Sequence, residues 1–142
     1  MNLDLIYTEL IAEHSQYSPY KGKLENPTIS ERGHNPSCGD DIQLDVKIEE
    51  GIIKSARFHG VGCAISQAST SMMIELVEGK SIQEAMTLLD TFIKMIKKEI
   101  TSDEELAVLE DAITFKSIST MPARVKCAVL AWHTLKDALD KQ

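Results

Sequence analysis

The spacing of apolar residues changes twice along the chain, and each change marks an element. Leu3, Ile6, Leu10 and Ile11 recur at helical spacing, which predicts an amphipathic helix over about residues 3–15. SPYKGKLENPT, with Pro19, Gly22 and Pro27, reads as a loop. The period then drops to two. Ile42, Leu44, Val46 and Ile48 alternate with Gln43, Asp45 and Lys47, as in a half-buried strand. EEG at 49–51 is a turn, and the alternation resumes over Ile52–His59, so the pair predicts an antiparallel hairpin.

Helical periods return after GVGCAIS. ISQASTSMMIELVEG reads as a helix closed by Gly79 in the residue after its cap. Ser81 followed by Glu84 has the form of a capping box, opening a helix to about Lys98 whose apolar face holds Ile82, Ala85, Met86, Leu89, Ile93 and Ile96. TSDEELAVLEDAI, with five acidic residues and no basic one, reads as a short acidic helix. Pro122, a favoured first-turn residue, opens a last helix to the end of the chain. Helix, then strands, then helices is the order of an α+β fold, with helices packed on one face of a small antiparallel sheet. No repeat or linker divides it, and residues 1–142 read as a single domain.

Aromatic residues make up 5% of the chain, so the core must come from Leu, Ile, Val, Ala and Met, with Met72, Met73, Met86 and Met95 as core filler. The net charge of -7 argues against nucleic acid as the main partner, because phosphate binding requires clustered Lys and Arg. The N-terminal MNLDLIYTELIAEH has no basic segment of a signal peptide, and no apolar run reaches the roughly 18 residues of a membrane span. A cytoplasmic location without membrane association is the expectation. Three cysteines cannot all pair, and that location disfavours structural disulfides.

The cysteines are the candidate chemistry. Cys38 precedes a strand in NPSCGDD, Cys63 stands at a strand-to-helix turn, and Cys127 falls in the second turn of the last helix. Element ends are where side chains from distant segments aim at a common point. Gly39 lets the chain bend so that Cys38 and Asp40 face one ion, and three sulfurs with one oxygen complete a tetrahedron that suits zinc. The separations are 25 and 64 residues, without zinc-finger grammar, so spacing alone leaves simple burial of the cysteines as an equal alternative. Three thiolates and a carboxylate carry about -4, which a divalent ion halves. Arg124 and Lys126, flanking Cys127, either steady that charge or form a solvated helix face.

Taken together, NPSCGDD, GVGCAISQAS and MPARVKCAVLAW resemble the NifU N-terminal / IscU-like family of iron–sulfur cluster assembly proteins, and in particular its SufU branch. The resemblance covers essentially the whole chain and uses all three cysteines. It implies a three-stranded antiparallel sheet with packed helices, and Cys38, Asp40, Cys63 and Cys127 as metal ligands. In the SufU branch it implies zinc and sulfurtransferase activity. Such a protein takes persulfide sulfur from a PLP-dependent cysteine desulfurase of the SufS type and passes it to downstream iron–sulfur assembly proteins. Cys38 matches the sulfur-accepting thiol, and Arg124 is assigned to orient it or to steady the anionic site. Scaffolds of the IscU type carry histidine immediately before the last cysteine, where this chain has Lys126, and the acidic stretch around 101–111 lies where the SufU branch has an insertion. Both features favour sulfur transfer. The alternative is a scaffold that binds iron and assembles a [2Fe–2S] cluster on the same residues.

Other residues read more plainly. His59 is a strand-rim residue, His34 is placed to touch the surroundings of the site, and His14 and His133 are structural or exposed. Trp132 is expected to pack the last helix on the sheet, its indole N–H needing a partner. Ser66 and Ser69 are expected to serve the helix start. No Ser-His-Asp arrangement and no phosphate-binding loop is present, because GVG lacks the glycine and lysine that would follow.

Overall fold

The computed structural model describes the backbone of residues 3–37 and 39–142, with side chains from Thr8 onward. Cys38 lies outside the described residues. The chain runs α1 (Leu3–Gln16), β1 (Ile29–Asn35), β2 (Asp40–Glu49), β3 (Ile52–Val61), α2 (Ala64–Val77), α3 (Ile82–Ile96), α4 (Asp103–Leu106), a 3-10 segment (Ala107–Ile118) and α5 (Pro122–Asp140). The fold is α+β: a three-stranded antiparallel sheet in the order β1-β2-β3, with α2 and α5 packed on it.

The hairpin of β2 and β3 turns through Glu50 and Gly51, both at positive φ (53° and 74°). Two such residues form the type I′ turn whose twist matches that of paired strands. Pairing runs from Glu49 opposite Ile52 to Asp41 opposite Val61, with a register shift at Lys47/Ile48. That irregularity changes which side of β3 faces inward. Ile53 is buried, and beyond the shift so are Ala56 and Phe58, so a single unbroken alternation does not describe this strand.

β1 is an element the apolar pattern did not reveal. Its sequence ISERGHN is mostly polar, and it forms the sheet edge, with only Gly33 buried. An edge strand needs backbone pairing on one side only and tolerates charge, which removes the apolar signature. Its partner is β2, with Asn35 opposite Asp40.

The capping box of α3 is present: Ser81 Oγ accepts from the Glu84 N–H (3.1 Å), and Glu84 Oε1 accepts from the Ser81 N–H (3.3 Å). The acidic stretch departs from expectation. Only Asp103–Leu106 is α-helical; the chain continues as a 3-10 segment, broken at Glu110 (φ 51°, ψ -128°). The carboxylates suit a first turn, but no cation follows them at i+4 to support a longer helix. Trp132 also departs. It stacks on Phe92 of α3, with ring centroids 3.8 Å apart and planes 2° from parallel, and its indole N–H donates to Ser69 Oγ of α2 (2.8 Å). Ser69 in turn donates to the Ala128 carbonyl (2.6 Å), so this hydroxyl joins α2 to α5 and has no part in the helix start. Met72, Met73 and Met95 fill the core as expected. Among the described residues, no helix is long and apolar enough to cross a membrane.

Candidate metal centre

The sheet and two helices bring three donors together. Asp40 is the first residue of β2, fully buried. Cys63 is the N-cap of α2, exposed, with extended backbone (φ -69°, ψ 169°). Cys127 lies in the second turn of α5, 7% exposed. One ligand atom from each lies within 4.8 Å of both others. Tetrahedral zinc, with bonds of about 2.3 Å to sulfur and about 2.0 Å to oxygen, places its ligands roughly 3.5–3.8 Å apart. Closing the set on an ion therefore asks for side-chain shifts of at most about 1 Å.

Local chemistry shapes each donor. The Cys63 N–H donates to Asp40 Oδ1 (3.0 Å), which ties the helix cap to the strand. Cys63 Sγ accepts from the Ser66 N–H at 3.4 Å, so the sulfur stands at the positive end of α2, where anionic groups are favoured. The Cys127 thiol donates one turn back to the Ala123 carbonyl at 3.6 Å. The two aspartates of GDD separate by strand alternation. Asp40 points inward, while Asp41 pairs outward with Arg32 through two bonds of 2.9 and 2.7 Å. The hydrogen bond from Arg32 holds the Asp41 carboxyl below the usual carboxylate range.

Two features bear on whether a metal fits. A Cβ on Gly62 would come within 3.2 Å of both Asp40 Oδ1 and Ser66 Oγ, so glycine keeps the space beside the donors clear. Ser66 Oγ is buried there without a hydrogen-bond partner among the described residues, a polar atom facing that space. Two sulfurs and a carboxylate oxygen form a donor set suited to zinc or iron, and these surroundings accommodate it.

The fourth expected ligand, Cys38, lies outside the described residues. Arg124 and Lys126 are exposed on the first turns of α5, and His34 is exposed on β1. Among the described residues, no histidine joins the Asp40 set. Ser66 and Gly62 were not legible as site residues. A serine three positions after a cap cysteine is an ordinary helix-start pattern, and only the packing of β2 beside α2 gives it another meaning.

Comparison with known proteins gives the family. Residues 6–141 match the NifU-like N terminal domain. The iron–sulfur cluster assembly scaffold protein IscU of Thermotoga maritima is 40% identical, over 99% of this chain and 97% of its own length. The zinc-dependent sulfurtransferase SufU of Bacillus subtilis is 36% identical, over 99% of this chain and 94% of its own length. Among solved structures, FiSufU of Fervidobacterium islandicum, an assembly-scaffold candidate for the SUF system, superposes with a TM-score of 0.87 at 39% identity, covering 95% of this chain and 97% of that one. A fold with three paired strands, donors converging at the sheet end, and relatives matched along nearly their whole length place this chain in the NifU-like N-terminal domain family, that of the iron–sulfur cluster assembly scaffolds.

Proposed function

We propose that the protein is a zinc-dependent sulfurtransferase, acting as one domain over residues 1–142 in the cytoplasm. It would receive persulfide sulfur from a PLP-dependent cysteine desulfurase of the SufS type and deliver it to iron–sulfur assembly proteins. The observation that carries this reading is the convergence of Asp40, Cys63 and Cys127, with exposed Lys126 where a scaffold-type chain carries histidine. A lysine ammonium is no ligand at neutral pH. Asp40, Cys63 and Cys127 would hold the zinc together with Cys38, and the ion would keep its thiolates ionised.

Cys38 is the acceptor. Its thiolate attacks the terminal sulfur of the desulfurase persulfide. A new S–S bond forms at Cys38 Sγ, the bond to the desulfurase cysteine breaks, and that cysteine leaves as a thiolate. Cys38 suits the role because it precedes Gly39, which sits at φ 71°. Cys127, by contrast, is buried in a helix. Arg124, exposed one turn before Cys127, is assigned to steady the anionic site.

A second reading is favoured by the name of the 40% identical relative: a scaffold that assembles a [2Fe–2S] cluster on the same residues. Metal content and sulfur acceptance of wild type and Cys38→Ala, assayed with a cysteine desulfurase and excess cysteine, separate the two. Transfer predicts about one zinc per chain and stimulated desulfurase turnover in wild type only. Retained iron and acid-labile sulfide without stimulation point to the scaffold. Sulfur acceptance by zinc-bound Cys38→Ala removes Cys38 from the mechanism.

A further inference from the structure

His14 stands in the last turn of α1, Glu75 near the end of α2, and Asp111 just after the backbone break at Glu110. One ligand atom from each lies within 4.8 Å of both others. We propose that His14, Glu75 and Asp111 form a second metal site, which takes a divalent first-row transition ion through one imidazole nitrogen and two carboxylate oxygens. This goes beyond the sulfur centre and does not depend on it.

The imidazole is set for the task. His14 is only 11% exposed at its side chain, and Nδ1 is 2.9 Å from Ser71 Oγ, which is 2.6 Å from Ser18 Oγ. With Nδ1–H donating to Ser71, the lone pair falls on Nε2, the arrangement that outer partners impose on metal-binding histidines. Nε2 lies 3.6 Å from Glu75 Oε2. That is too long for a hydrogen bond. It falls within the roughly 3–4.2 Å that separates two ligands about 2.1 Å from one ion.

The surroundings supply charge and access. Two clefts, of about 270 and 250 Å³, meet at Glu75 and Asp111. Glu13 and Glu110 also line them, and among the described residues no lysine or arginine does. Tyr20, on the same wall, has its hydroxyl pKa pushed up by burial and then by the negative charge of Glu75 and Glu78. An imidazole with two carboxylates suits ions from Mn²⁺ to Zn²⁺ and offers soft Cu⁺ no sulfur. Bound there, the ion ties α1 and α2 to the segment after Glu110.

The test uses the full chain with zinc first supplied to the sulfur centre, then titrated with Mn²⁺ and followed by loss of the free-ion electron paramagnetic resonance signal. Wild type is expected to take up one further equivalent and to melt at a higher temperature with Mn²⁺ present. Asp111→Asn and His14→Gln are expected to weaken uptake by about tenfold or more. Zinc content at the sulfur centre is expected to be the same in wild type, Asp111→Asn and His14→Gln, which separates this site from the first. Circular dichroism in EDTA checks that each variant folds, with Glu75→Gln as the reserve. An undiminished free Mn²⁺ signal with wild type up to about 1 mM, the range of the weakest biological sites, overturns the proposal. So does equal uptake by wild type and the folded variants, which leaves His14 and Glu75 an ordinary ion pair.

Discussion

At the sulfur centre the donors stand where elements begin: Asp40 opens β2, Cys63 caps α2, and Cys127 follows the first turn of α5. At the other cluster His14 and Glu75 stand near the ends of their helices, and Asp111 follows a strained residue in irregular chain. Both use α2, yet Cys63 and Glu75 are twelve residues apart, roughly 18 Å along a helix axis. One helix thus presents a soft, sulfur-rich set at its positive end and a hard nitrogen–oxygen set at its far end. The difference lies in burial and ligand type. Asp40 and Cys127 are shut away from water, so losing one donor leaves the others poorly solvated, whereas Glu75 and Asp111 are exposed and stay hydrated without a metal.

The largest expected effect separates the two sets outright. Cys127→Ser removes a sulfur donor with little change of volume. It is expected to lower zinc affinity beyond the roughly 10–100-fold that changes around a ligand shell cost, with Mn²⁺ uptake at His14 untouched. Competition with a zinc chelator measures it. Affinity within a factor of about three of wild type would remove Cys127 from the set.

A smaller effect is expected at Gly62. Gly62→Ala puts a methyl against Asp40 Oδ1 and Ser66 Oγ, and zinc affinity should fall by roughly tenfold while the fold persists. The same chelator assay reads it. Unchanged affinity would mean that the space beside Asp40 serves packing alone.

The smallest effect sharpens the picture of the second cluster. Glu110 holds φ 51° and ψ -128°, which costs a side-chain-bearing residue about 1 kcal/mol or more. Glu110→Gly is expected to raise the melting temperature by roughly 2–4 °C. It leaves the carboxylate of Asp111 in place, so Mn²⁺ uptake should change little. A lower melting temperature would mean that the Glu110 side chain contributes more than its backbone costs.

Much of the molecule was legible because its signals are local. The hairpin of β2 and β3, the capping box at Ser81, the start of α5 at Pro122 and the strand-to-helix turn at Cys63 each depend on residues within a few positions. β1 was not legible from apolar spacing, since an edge strand of polar residues is held by backbone bonds to β2. Trp132 was assigned to the wrong surface for a similar reason: periodicity shows that it is inward, not which element it meets, and Phe92 and Ser69 are 40 and 63 positions away.

By itself, then, the sequence determined which donors exist, that three of the four expected ligands are soft, and that the strand after them alternates apolar and polar from Ile42, because alternation is a property of the chain. Tertiary structure alone decided that Asp40 meets Cys63 and Cys127, that Ser66 and Gly62 shape the space beside them, and that His14 finds Glu75 and Asp111. Those contacts join segments tens of residues apart, and only the packing of α1 and α5 against the buried α2 brings them within reach.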